Sequence, residues 1–417
     1  LAGRDDPAGL IDDAVRERRH FSRLMAAMAQ ADPALAPHVL GAMAGHGIHL
    51  GVTNNDLCRA ARANPSQLVT HELQDGIERI SAIRHSQSSE VSHMTMTPSF
   101  NSIVQLGANG ERSWWATEKD AITAALVDDY GADVAGEALT PPCDPAALRA
   151  RLREVAPRLT ALTDRLRSAF DDNEAGAVTV PELGLGELGI DDKRRGVFAL
   201  AVLLGDPTAN IPFDRVLWDV QNRGNGSSGH TSFSENDLKA GYHTDSAALP
   251  IPERFFFLYA VRAARCGGGV SLIRDGRVVR SLLEETPEGG AAVRLLTETE
   301  LPRRIPEAFK EYADVAPDGY LYAPVLAEKP MWRWRKNGIQ KGIAAHPEYQ
   351  TPEVHQALDA VIEQLANGPG EIRQVIPTDG ILIINNHITL HGRTAFTDPE
   401  RHLLRLRFHE PTAAQTG

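Results

Sequence analysis

The chain has 417 residues, 42% of them hydrophobic, and a net charge of −12 from 43 Lys and Arg against 55 Asp and Glu. That length and apolar content suffice for one elaborated domain or two, while the acidic balance argues against a general binder of nucleic acid or of anionic membranes. Three cysteines far apart (Cys58, Cys143, Cys266) indicate neither a disulfide framework nor a zinc knuckle, and with no membrane-length apolar run and no signal peptide at the start the expectation is a cytoplasmic protein.

In chain order, the first part reads as helical. Apolar residues recur at helical spacing over 14–31 and 33–44, a polar stretch at 86–102 reads as loop, and 144–171 carries one long amphipathic pattern. We expect residues 1–140 to form a helical N-terminal extension that serves packing or oligomerisation, and 141–417 to form the main domain. A Gly-rich connection at 183–189 leads into a helix over 191–204. Residues 221–240, rich in Gly, Ser and Asn, read as a loop suited to close over a site. The apolar run at 252–260 reads as a buried strand, and Cys266 to Gly269 as a bend that sets the Ser271 hydroxyl on the next strand. A basic, aromatic segment (Trp332, Arg333, Trp334, Arg335, Lys336) follows in this acidic chain. Residues 380–386 read as a strand ahead of His391. Over 402–409, period two puts Leu404, Leu406 and Phe408 on one face and Leu403, Arg405, Arg407 and His409 on the other.

The chemistry concentrates in two of these places. In Gly241-Tyr242-His243-Thr244-Asp245, the side chains of His243 and Asp245 lie two residues apart on an extended chain and project to the same face. A distant histidine completes a set of two imidazoles and one carboxylate, which holds Fe(II) and leaves three coordination positions open for a co-substrate and O2. On the residues alone, His387 and His391 compete for that third place, since each has an arginine fourteen residues further on, Arg401 and Arg405; Arg401 sits in the turn-like Asp398-Pro399-Glu400-Arg401 and not on the strand, which favours His391. A guanidinium presents a planar fork of donors and stays charged at working pH, so either arginine suits a carboxylate.

Taken in order, His-Thr-Asp at 243–245, Gly268-Gly269-x-Ser271, and Asn385-Asn386 through His391-Gly392-Arg393 to Phe396, with Arg405 beyond, resemble the Fe(II)- and 2-oxoglutarate-dependent oxygenases. The resemblance covers roughly 175–410 and is to the clavaminate synthase-like, taurine dioxygenase-related branch, near the arginine and asparagine β-hydroxylases. It implies an α+β fold, a double-stranded β-helix or jelly roll flanked by helices. It implies His243, Asp245 and His391 as the iron ligands, with the His-Gly-Arg motif selecting His391, and Arg405 as partner of the distal 2-oxoglutarate carboxylate. Ser271 stands where the family usually has a threonine that helps hold that carboxylate. Asp245 separates the chain from halogenases, which have a small residue at that position.

The activity so implied is hydroxylation of an amino acid or an amino-acid-derived small molecule, free or carrier-tethered, in specialised biosynthesis, with succinate and CO2 as co-products. Desaturation, cyclisation or epoxidation are alternatives, and a jelly-roll binding protein without turnover is the non-enzymatic one. Substrate contacts are expected from Gln221, Arg335, Arg407 and His409. Relatives commonly carry a carboxylate-binding arginine four residues beyond the co-substrate arginine, and His409 at that position argues against a free α-amino acid.

Overall fold

The computed structural model describes residues 102–106, 114–131, 134–172, 174–210, 214–223, 234–306, 318–327 and 331–412. The helices expected over 14–31 and 33–44, and all but the last residue of the 86–102 loop, lie outside the described residues. So does the central part of the 221–240 loop.

Helices form where the sequence supplies an apolar face and a cap. The first is α1 (Trp114–Tyr130). Instead of one helix over 144–171 there are two, α2 (Pro145–Val155) and α3 (Pro157–Asp171). Pro157 causes the break: its ring disfavours helical geometry in the residue before it, and Ala156 takes φ −127° and ψ 64°. After the Gly-rich connection comes α4 (Ile190–Leu204), followed later by α5 (Gly276–Glu284), α6 (Pro287–Glu298), α7 (Lys336–Ala345) and α8 (Pro352–Asn367). Four of these begin with proline, whose missing N–H costs nothing in the first turn, and three of the four follow a side chain that accepts an orphan N–H. Asp144, Thr286 and Thr351 accept from Ala147, Gly289 and Val354.

The strands are β1 (Ile103–Gln105), β2 (Ala177–Val180), β3 (Asp206–Pro207), β4 (Trp218–Gln221), β5 (Ala240–His243), β6 (Phe255–Arg262) and β7 (Ser271–Asp275). Then come β8 (Leu301–Arg304), β9 (Tyr320–Ala323), β10 (Ile372–Gln374), β11 (Ile381–Asn385), β12 (Thr389–Arg393) and β13 (His402–His409). A seven-stranded sheet runs β1-β2-β11-β6-β13-β3, with β4 also on β13, and is antiparallel except for the β1–β2 pair. A four-stranded antiparallel sheet runs β10-β7-β12-β5, and β8 pairs with β9 on its own.

Alternation along the strands sends side chains to separate interiors. On one face of the large sheet, Val178, Phe257, Tyr259, Ile383, Leu404 and Leu406 bury against α1 to α4. On the other, Ala177, Phe256, Leu382, Ile384 and Leu403 pack with Ile273 of the small sheet. The reverse side of the small sheet is covered by α5 to α8, with Leu390, Trp332 and Trp334 among the buried contacts. Each fully buried large apolar side chain contributes about 1.5–3 kcal/mol relative to exposure. The apolar space between the sheets is where the polar residues of β5, β12 and β13 converge. No helix among the described residues is long and apolar enough to cross a membrane.

Candidate metal centre and its pocket

His243 ends β5 and His391 lies at the centre of β12, and the antiparallel register sets them directly opposite each other. Their rings are 4.2 Å apart. Asp245 reaches back over the end of β5, so that its Oδ1 lies 3.6 Å from His243 Nε2 and 3.7 Å from His391 Nε2. These separations are too long for hydrogen bonds but suit three donors arranged around one ion. All three residues are buried, their donor atoms lie within 4.8 Å of one another, and no other such His/Cys/Asp/Glu group with these residue types occurs among the described residues. Gly241 O lies 2.8 Å from His243 Nδ1 and accepts its proton, which leaves Nε2 with its lone pair toward the site.

The protonation states agree with this. Burial, with the charges of His391 and Arg335, holds His243 well below the usual histidine range. Burial, and then Arg405 and Arg335, bring His391 down to about 4 against the opposing pull of Asp245. For Asp245, burial opposes ionisation, but Arg405 and the two imidazoles outweigh it and hold its carboxyl below the usual carboxylate range. At neutral pH the donors are therefore two neutral imidazoles and one carboxylate, the set that suits Fe(II).

The segment around Asp245 is fixed from two sides. Asn386, 1% exposed, accepts from Asp245 N–H at 2.8 Å and donates to the carbonyls of Asp245 at 3.0 Å and Glu253 at 2.9 Å. Thr244 exchanges bonds with Trp334: its N–H donates to the Trp334 carbonyl at 2.9 Å, and its hydroxyl accepts from Trp334 N–H at 3.0 Å. Neither role was assigned from sequence. The only signal was that Asn386 belongs to the Asn-Asn pair of the motif. His387, the rival ligand, points elsewhere, with Nε2 3.0 Å from the Pro252 carbonyl.

A pocket opens from the triad between the two sheets. Phe256, Leu258, Ile384 and Leu403 supply apolar wall, Ser271 a hydroxyl, and Arg393, Arg401 and Arg405 positive charge. Arg405 donates to Asp245 Oδ2 at 3.2 Å. Arg401, which sequence placed in a turn, is indeed just ahead of β13, yet its side chain is buried in this pocket at 4% exposure. Arg335 stands half-buried at the start of α7, where its charge acts on all three triad residues.

The remaining expected substrate residues lie apart from this pocket's lining. Arg407 is 6% exposed and committed to an ion pair with Glu253 at 3.7 Å and to hydrogen bonds with Asn210 and Ser246. Gln221 faces His402 across the β4–β13 pairing, and His409 faces Asp206 at the far end of β13. In the basic segment, Trp332 and Trp334 are core residues, and Arg333 donates to the carbonyls of Leu249 and Pro250, each at 2.6 Å.

Residues 135–407, more than half of the chain, match the taurine catabolism dioxygenase TauD, TfdA family. The chain belongs to this family. It is therefore a non-haem iron dioxygenase of the 2-oxoglutarate-dependent class, and the His–Asp–His set is the donor group that this class requires. Solved structures of like fold include an asparagine oxygenase in complex with Fe(II), 2S,3S-3-hydroxyasparagine and succinate, 18% identical over 74% of this chain and 94% of that one, TM-score 0.53. The non-heme iron oxygenase OrfP in complex with Fe and alpha-ketoglutaric acid is 16% identical over 73% of this chain and 94% of its own, TM-score 0.52. A mutant of OrfP in complex with (3S)-hydroxy-L-Arg is 16% identical over 74% and 94%, TM-score 0.55. At such identities the likeness is one of fold. No curated protein matches the sequence.

Proposed function

We propose that this TauD-family dioxygenase hydroxylates an amino acid or an amino-acid-derived small molecule, with Fe(II) held by His243, Asp245 and His391 inside a double-stranded β-helix formed by the two facing sheets. The observation that carries the reading is the buried triad opening onto a pocket lined by apolar side chains and three arginines. Fe(II) and 2-oxoglutarate, when bound, activate O2: one oxygen atom enters the co-substrate, which leaves as succinate and CO2, and the other enters a C–H bond of the substrate. The chain's own residues prepare for this. Asn386 orients the Asp245 main chain, the Gly241 carbonyl selects the His243 tautomer, and a guanidinium with the Ser271 hydroxyl receives the distal carboxylate. Phe256, whose ring is 4.6 Å from that of His391, and Leu403 keep water from the reacting face.

The test is coupled turnover. Protein reconstituted with Fe(II) and supplied with 2-oxoglutarate and O2 is screened against amino acids and their acylated derivatives for substrate-triggered O2 uptake, succinate formation and a product heavier by one oxygen. Succinate without any oxygenated, desaturated or cyclised product across the panel would count against an amino-acid-derived substrate.

A further inference from the structure

Arg333 is a buried cation outside the pocket lining. It is 8% exposed, and burial alone acts on its charge, with no carboxylate beside it among the described residues. Its two terminal nitrogens are spent on main chain: Nη1 donates to the Leu249 carbonyl and Nη2 to the Pro250 carbonyl, each at 2.6 Å. Burying a guanidinium without a counter-ion is unfavourable, so the two bonds secure something that a neutral donor does not. The sequence shows what it is. Pro250 and Pro252 lack an N–H, so the run Leu249-Pro250-Ile251-Pro252 cannot join a strand ladder, and its carbonyls depend on donors from elsewhere. Arg333 supplies two of them, His387 Nε2 meets the Pro252 carbonyl at 3.0 Å, and Asn386 meets that of Glu253 at 2.9 Å. Two adjacent carbonyls match the planar fork of a guanidinium, which a lysine does not offer.

That run begins four residues after Asp245. Between them the chain turns at Ser246, whose φ of +54° is left-handed and uncommon for a residue with a side chain, and Leu249 N–H closes the turn on the Ser246 carbonyl at 2.9 Å. Two consecutive residues grip both ends of this short loop. Trp334 exchanges bonds with Thr244 on one side of Asp245, and Arg333 holds Leu249 and Pro250 on the other. The gripping segment is itself fixed. Trp332 N–H donates to the His387 carbonyl at 2.7 Å, Arg333 N–H to that of Val325 at 2.8 Å, and Nη2 of the buried Arg303 to the Arg333 carbonyl at 3.3 Å. Because His387 lies on the turn between β11 and β12, this one segment ties the loop that carries Asp245 to the turn that leads into the strand of His391.

We propose that Arg333 is a positioning residue of the metal centre: its fork closes the loop 244–250 and so fixes the direction from which the Asp245 carboxylate meets the ion. This rests on the iron reading above and deepens it. Arg333 touches neither the metal donors nor the pocket, and acts through the main chain on the far side of the left-handed turn. With the fork removed, Thr244 and Asn386 still hold Asp245 itself. The turn that follows it, however, loses its far anchor and swings about Ser246. The carboxylate then samples directions in which it and the two imidazoles no longer surround one point, which weakens the ion and changes its geometry.

The experiment uses full-length protein with Co(II) as the probe, read by calorimetry and by the visible absorption of the bound ion, whose bands report donor geometry. Arg333→Lys keeps the charge and loses the fork. It is expected to bind Co(II) about 10-fold more weakly than wild type and with an altered spectrum. Arg333→Gln, a shorter donor without the charge, is expected to do the same and serves if the lysine variant does not fold. Arg149→Met is the comparison for lost buried bonds: Arg149 is also 8% exposed and donates to the carbonyls of Val202 and Gly205 at the end of α4, away from the triad. It is expected to lower the melting temperature while Co(II) affinity stays within ~2-fold and the spectrum is unchanged, as for independent sites. Affinity and spectrum unchanged in the Arg333 variants, or altered as much by Arg149→Met, overturns the proposal. Wild-type protein that binds no Co(II), or His243→Ala protein that binds it as tightly as wild type, overturns the iron reading itself.

Discussion

Asn386 holds the carboxylate ligand in place without touching the metal site, and its removal has a calculable effect. Asn386→Ala deletes three buried hydrogen bonds, of 2.8, 3.0 and 2.9 Å, and leaves the N–H and C=O of Asp245 and the C=O of Glu253 short of those partners. A buried polar group left unsatisfied costs about 1–3 kcal/mol. Water entering the space of the lost amide recovers part of this, so we expect a net loss of roughly 3–5 kcal/mol, a large share of the total stability of a typical domain. At about 2 °C per kcal/mol for a large domain, the metal-free protein should melt roughly 6–10 °C lower. Metal affinity should fall about 10–100-fold because Asp245 loses its fixed orientation. Asn385→Ala is the internal control: Asn385 sits beside it and is also buried, but its side-chain oxygen accepts the His387 N–H at 3.2 Å, outside the Asp245 segment. The assays are thermal unfolding by circular dichroism and Zn(II) binding by calorimetry. An Asn386→Ala protein that melts within about 2 °C of wild type and binds zinc with unchanged affinity would refute the argument that this side chain orients the ligand.

Replacing His243, Asp245 or His391 by Ala should abolish turnover and high-affinity metal binding, whereas His387→Ala should keep both, because its ring is turned to the Pro252 carbonyl; metal content after dialysis distinguishes the cases. Ser271→Ala should weaken 2-oxoglutarate by roughly 2- to 12-fold, the equivalent of one ordinary hydrogen bond, read as KM for 2-oxoglutarate with KM for substrate unchanged. Gly269→Ala should lower the melting temperature, since the backbone there is left-handed and the new methyl meets Arg401; an unchanged melting temperature would refute the strain. Metal-free protein should lose stability on acidification from about pH 6.5 toward about pH 4. In that window the unfolded chain binds protons that the buried imidazoles of His243 and His391 refuse, so stability rises with pH there and levels off above it. Melting temperature across a pH series checks the sign.

What was legible in the sequence was what periodicity encodes. Strand β13 matched its expected limits, 402–409, and its alternation put Leu404, Leu406 and Phe408 in the outer core and Leu403 on the inner face. The donor set was legible because His-x-Asp at a strand end and a histidine on an adjacent strand are local features whose order in the chain survives folding. The break between α2 and α3 was also available, since Pro157 stands inside the amphipathic pattern and a proline there removes a hydrogen bond whatever the apolar spacing suggests.

The fate of each arginine was not legible, for one physical reason. Periodicity says which face of a strand a side chain leaves from, but a guanidinium ends several ångströms away, and its partner there decides whether its charge is spent or available. Arg405 and Arg407 leave the same face of β13, two residues apart. Arg407 meets Glu253 and Asn210, far away in the chain, and becomes a buried structural cation, while Arg405 meets the Asp245 carboxylate of the proposed iron triad. Arg401 was set aside because its backbone belongs to a turn, yet the turn only fixes where the side chain starts. The glycine at 269, whose absent Cβ leaves room for that side chain, lies more than a hundred residues earlier. Which charges remain for co-substrate and substrate is therefore a property of the pocket assembled between the two sheets, and the same residues on one isolated strand carry no information about it.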